Sequence, residues 1–120
     1  EAGRRGKKIV LTSDHGSIRV NKGLTVYADK SASTNLRYKH GRGIRTENDK
    51  QVLTIAEPAG YGLPRDTVST NYIIAKEYSY FVYPNNYHYY LNLYNDSLQH
   101  GGISMEEMIL PVAVLNYKHT

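Results

Sequence analysis

The run Ile9-Val10-Leu11-Thr12, entered through Lys7-Lys8 and cut off by Ser13-Asp14-His15-Gly16, constrains the fold more than any other stretch. Apolar, largely β-branched residues without polar alternation predict a strand covered on both faces, the pattern of a parallel sheet. Such a strand needs neighbours on two sides. A chain of 120 residues hides roughly two thirds of its unfolded surface, enough for one modest core and not two. One domain, or a piece of a larger one, is therefore expected. Cysteine is absent, which excludes disulfide stapling, thiol catalysis and Cys-ligated zinc and leaves His, Asp and Glu as metal donors. A reducing, cytoplasmic setting fits that composition. No apolar run approaches the ~20 residues of a membrane-spanning helix, so no membrane partner is expected.

Charge is unevenly placed. Residues 1–45 carry eleven Lys or Arg against three acids, and residues 46–120 carry four against eight. The first part should attract phosphates. The chain opens Glu1-Ala2-Gly3-Arg4-Arg5-Gly6 without a Met and runs straight into the apolar strand, which reads as a cut in a longer polypeptide; no charged-then-apolar leader is visible.

Beyond the first strand, Ser17 to Tyr27 mixes β formers around Asn21-Lys22-Gly23 and predicts a hairpin. Residues 28–50 are polar and basic, with Gly41 and Gly43 inside Arg37-Tyr38-Lys39-His40-Gly41-Arg42-Gly43-Ile44-Arg45. They read as an exposed insertion with some strand character. Val52 to Ile55 predicts a strand, and two prolines and two glycines across 57–64 forbid a long element there. Asn71 to Ala75 and Tyr78 to Tyr83 read as strands stopped by Pro84-Asn85-Asn86. Tyr87, Tyr90, Leu91 and Tyr94 have the spacing of an amphipathic helix. Ser104 and Glu107 form a capping box, so a short helix should begin at Met105 and end before Pro111, followed by a strand over Val112 to Leu115.

Asp14 and His15 place oxygen and nitrogen donors at the carboxyl end of the first strand, the edge where α/β sheets build sites. Successive strand residues point to opposite faces, so both reach one cation only if Gly16 lets the chain break. That donor pair suits zinc; an Asp-His-Gly turn with a surface histidine would also explain it. His100, ahead of Gly101-Gly102, is the second candidate, and a loop histidine beside a flexible turn is its plainer explanation. Three donors fall short of two complete sites. Within the basic insertion, Arg37 is the residue selected as a substrate-phosphate contact, with Lys39, Arg42 and Arg45 as further cations and Tyr38 as a base-stacking ring. A solvated charged face is the alternative. The twelve tyrosines read chiefly as packing, with base stacking or self-association as the functional options. His40, His88 and His119 read as ordinary surface imidazoles.

The blocks Ile9-Val10-Leu11-Thr12-Ser13-Asp14-His15-Gly16 and Gln99-His100-Gly101-Gly102-Ile103-Ser104-Met105-Glu106-Glu107-Met108-Ile109-Leu110-Pro111-Val112 resemble the carboxyl-terminal part of PglZ domains, a branch of the alkaline phosphatase superfamily. Thr34-Asn35-Leu36-Arg37-Tyr38-Lys39, Tyr61-Gly62-Leu63-Pro64-Arg65 and Tyr83-Pro84-Asn85-Asn86-Tyr87 look like response regulators of the PorX type. The resemblance implies an α/β carboxyl-terminal fragment of an alkaline-phosphatase-like domain, spanning residues 1–120, with a parallel-type core strand, a β-rich insertion and short helices.

It also implies a two-zinc phosphodiesterase or phosphatase whose nucleophile is a threonine. Asp14 and His15 would bind one ion and His100 the other. The family's nucleophile segment and its remaining ligands have no match in this chain, so the chain alone is expected to be inactive. The missing amino-terminal part of the domain is its implied partner, and uncovered sheet edges invite dimerisation or strand exchange. The PorX likeness implies two-component signalling linked to type IX secretion, with phosphodiester oligonucleotides or nucleotides as substrates. A non-catalytic PglZ-like module that binds nucleotide or protein is the alternative.

Overall fold

The computed structural model describes residues 3–118. A 3-10 turn at Gly3–Arg5 leads to β1 (Ile9–Thr12), β2 (Ile18–Val20), β3 (Lys22–Tyr27), β4 (Tyr38–Arg42), β5 (Arg45–Thr46), β6 (Val52–Ile55), β7 (Thr70–Ala75) and β8 (Ser79–Val82). Helix α1 (Tyr87–Tyr94), β9 (Ser97–Gln99), α2 (Met105–Met108) and β10 (Val112–Leu115) complete it. The strands form small sheets: β1 with β10, β2 with β9 and β4-β7-β6 are antiparallel, and β5-β3-β8 is mixed. With its few short helices, this arrangement is compatible with an α/β fold.

The core follows from period-two alternation. Leu24 and Val26 on β3, Ile73 and Ala75 on β7, and Val52 join Ile44 and Phe81 in one buried cluster. Ile18, Val20, Tyr80 and Val82 form a second, covered by Leu36, Tyr87, Leu91 and Tyr94. Strand β8 therefore separates the clusters, with Phe81 facing one and Tyr80 and Val82 the other. Each of these large side chains contributes about 1.5–3 kcal/mol by leaving water. Among the described residues no helix is long and apolar enough to cross a membrane.

The parallel-type core strand expected at β1 is corrected. Strand β1 pairs antiparallel with β10, Ile9 opposite Leu115 and Thr12 opposite Val112, and both strands are exposed throughout, with Val10 at 58% and Val112 at 68%. The pattern expected of it belongs to β8, which is buried on both faces and parallel to β3. An apolar run can form such a strand, but coverage depends on what lies beside it. The ribbon also lengthens the molecule: the radius of gyration is 19.0 Å, against about 14 Å for a compact chain of this length.

The hairpin expected over 17–27 is absent: β2 pairs with β9, and β3 with β5 and β8. Gly23 lies within β3, where an added Cβ would come 2.3 Å from Leu91 Cδ1; it admits α1 rather than turning the chain. Residues 28–50 are only partly exposed. Strand β4 is the antiparallel neighbour of β7, and its pleat turns Lys39 inward while Arg37 is buried just before it. The strands at Val52–Ile55, Thr70–Ala75, Ser79–Val82 and Val112–Leu115, both helices and the irregular stretch with its short 3-10 turn at Pro58–Tyr61 agree with expectation. His40 is half-buried between the rings of Tyr38 and Tyr72, 6.1 and 5.1 Å away. His88 is exposed, and His119 lies outside the described residues.

Candidate functional site

Two turns built far apart in sequence meet here. The first, at the end of β1, carries Asp14 and His15; the second follows β9 and carries His100. Strands β2 and β9 pair antiparallel with Ile18 opposite Gln99, so the next residue of each, Ser17 and His100, is brought alongside. The imidazoles of His15 and His100 stack with centroids 3.7 Å apart and planes 13° from parallel.

Local chemistry fixes the first ring. His15 Nδ1 lies 2.7 Å from the Gly16 carbonyl, which only accepts, so Nδ1 donates and Nε2 is the ring nitrogen left to meet a ligand. That Nε2 faces Asp14 Oδ1 at 3.6 Å. Two ligands of a tetrahedral zinc with ~2 Å bonds stand roughly 3.4 Å apart, so this spacing fits two donors of one ion. Among the described residues, however, no three His, Asp or Glu donors converge on one point. The set fits zinc in part. Asp14 is 89% exposed at its side chain, which leaves the donors open to further ligands.

Glu107 holds both turns. Its carbonyl accepts the Gly16 N–H at 2.8 Å. Its carboxylate accepts the Gly102 N–H at 2.9 Å and the Ser104 N–H at 3.1 Å. The Ser104 hydroxyl adds 2.7 Å to Oε2 and accepts the Glu107 N–H at 3.3 Å, which closes the capping box. Behind it stands Arg37, with Nε 2.8 Å from Oε1 and Nη2 3.0 Å from Oε2. Arg37 Nη1 also donates to the Ser79 carbonyl. Burial by itself would raise the Glu107 carboxyl, but the hydrogen bonds from Arg37, Ser104 and the two amides outweigh it and hold the group at about 2.

Glycine at two positions is a matter of space. A Cβ on Gly16 would stand 1.9 Å from the Glu106 carbonyl oxygen, and one on Gly102 2.6 Å from Glu107 Oε2. Gly16 therefore serves close approach, whereas the sequence suggested only a permitted break.

Asp14, His15 and His100 share one corner of the molecule. Arg37 is corrected: its side chain is 0% exposed and its guanidinium is engaged by Glu107 and Ser79, so it buttresses the site and offers nothing to a phosphate. Lys39 is also buried but lines a separate cleft, while Arg42 and Arg45 remain exposed. Glu107 was legible only as a cap; nothing local in sequence announces a partner 70 positions away.

Comparison with known families gives the class, an alkaline phosphatase-like domain. The family model for the BREX system PglZ alkaline phosphatase-like domain matches residues 2–115, and the chain belongs to that family. No curated protein matches the sequence.

Proposed function

We propose that this chain supplies one side of a zinc-dependent phosphodiesterase or phosphatase centre, with Asp14 and His15 serving one ion and His100 its neighbour. The stacked imidazoles carry the proposal: their ring centroids lie 3.7 Å apart, which puts one candidate ligand for each ion side by side, as neighbouring ions ~3.5–4 Å apart in two-metal sites require. When bound, the ions supply Lewis acidity toward phosphoryl oxygens. The chain's own residues do the positioning: Gly16 fixes the His15 tautomer, Glu107 clamps both turns, and exposed Arg42 and Arg45 add to a field that draws in phosphodiester or nucleotide substrates. Thr12 is not assigned as nucleophile; its hydroxyl donates to the Pro111 carbonyl at 2.8 Å.

Three donors complete neither site, so the remainder of the domain is the proposed partner. The apolar faces of β1 and β10 beside Asp14, with exposed Met105, Met108 and Ile109, are the surface it would cover; a second copy would cover it instead in a dimer or strand exchange. The PorX-type assignment, a cytoplasmic response regulator tied to type IX secretion and acting on oligonucleotides, extends this proposal and rests on the sequence blocks alone. A non-catalytic nucleotide- or protein-binding module is the second reading, favoured by the lack of a converging donor triad among the described residues.

Hydrolysis of bis(p-nitrophenyl) phosphate by the full-length protein with added zinc separates them. Asp14→Ala and His100→Ala should each lower turnover by about a hundredfold or more. Turnover unchanged in both variants would eliminate the catalytic assignment.

A further inference from the structure

On the other side of residues 34–37 from the imidazole pair lies a cleft of about 780 Å³ between β4, β8 and α1. That volume is in the range of small-molecule sites, roughly 300–1,000 Å³. Its walls include Leu36, Lys39, Phe81, Tyr83, Tyr90 and Tyr94. The rings of Tyr90 and Tyr94 are near-parallel, 6.1 Å apart, and offer flat apolar surface with polar tips.

Lys39 is out of place in such a wall. It is 1% exposed, its ammonium donates to the Ser33 carbonyl at 2.9 Å, and it lies 4.9 Å from the centre of the Tyr83 ring. An ammonium has three N–H donors, and no described carboxylate pairs with this one. Asp29, in the same wall, accepts the backbone N–H and the hydroxyl of Ser31 instead. A buried cation without a counter-charge is costly, and an anion arriving beside it recovers that cost. Burial lowers the Lys39 pKa to about 8, as expected of a cation short of a partner.

We propose that this cleft binds a small aromatic anion, its ring among Tyr83, Tyr90 and Tyr94 and its carboxylate or phosphonate drawn to Lys39. The site is distinct from the imidazole pair. Thr34 and Leu36 line it, whereas the alternate residues Asn35 and Arg37 face the other way: an added Cβ on Gly101 would come 2.6 Å from the Asn35 side chain, and Arg37 bonds Glu107.

Titrating benzoate and phenylphosphonate into the full-length protein, with tyrosine ring resonances as the readout, tests this. Saturable shifts at Tyr83, Tyr90 and Tyr94 are expected, with affinity weakened about tenfold in Lys39→Met and unchanged in His100→Ala. Tyr90→Ala, on the exposed side of α1, is the second variant and should also weaken benzoate. Neutral benzamide or inorganic phosphate binding as tightly as benzoate would overturn the proposal, as would shifts that vanish in His100→Ala or no saturable shift at all.

Discussion

Arg37 and Glu107 meet as a two-pronged ion pair, 2.8 and 3.0 Å, with both side chains sealed from water. The same carboxylate receives the Gly102 and Ser104 amides, and the same residue's carbonyl receives Gly16. One residue thus braces both turns that carry the candidate donors, and Arg37 holds that residue in place.

Breaking the pair from either side leaves a buried charge uncompensated. Glu107→Gln and Arg37→Met should each cost about 3–5 kcal/mol in urea-induced unfolding. The double variant should lose less than the two single costs added together, because no orphaned charge remains.

Acid should release the clamp. Glu107 titrates near 2 when folded against an ordinary 4.5, so between those values the unfolded chain binds more protons. Its stabilisation is complete above about pH 4.5 and is lost as pH falls toward 2. Melting curves from pH 6 to 2.5 should show the decline, and Glu107→Gln should flatten it.

Lys39 gives a slope of the same sign in a higher pH window. Its pKa is about 8 folded and 10.5 ordinarily, so the unfolded chain again binds more protons between those values and stability rises with pH across that window. In Lys39→Met this rise should disappear from pH-dependent denaturation midpoints.

Gly16→Ala and Gly102→Ala test the close approach of the two turns. The added methyl would meet the Glu106 carbonyl in one and the Glu107 carboxylate in the other. Each should destabilise by about 1–3 kcal/mol and separate the imidazoles, which the loss of mutual ring-current shifts at His15 and His100 would report.

Tyr80→Phe isolates one buried hydroxyl. Tyr80 donates to the Leu91 carbonyl at 2.6 Å, linking β8 to α1, and its removal should cost about 1 kcal/mol by thermal denaturation.

Local patterns told most about elements whose signals are short in range. The Ser104–Glu107 capping box predicted where α2 begins, and both of its halves are formed. The spacing of Tyr87, Tyr90, Leu91 and Tyr94 marked α1, and β-branched runs marked β6, β7, β8 and β10. Strand partners were another matter. The run at β1 was expected to be covered on both faces and the one at β8 was read simply as a strand, yet β1 is exposed on both faces and β8 buried on both.

Asp14, His15 and His100 could be picked out from residue type and turn chemistry, because metal-capable donors beside glycines are visible one residue at a time. That two of them touch was decided by the β2–β9 register, and Arg37 changed from an expected substrate contact to an internal brace because a glutamate 70 positions on lay within reach. The sequence by itself determined which segments extend, coil or cap, since backbone propensity and side-chain spacing act over a few residues. Only the tertiary structure decided which surfaces are covered and which charges are paired, because those depend on distances between segments that no local pattern encodes.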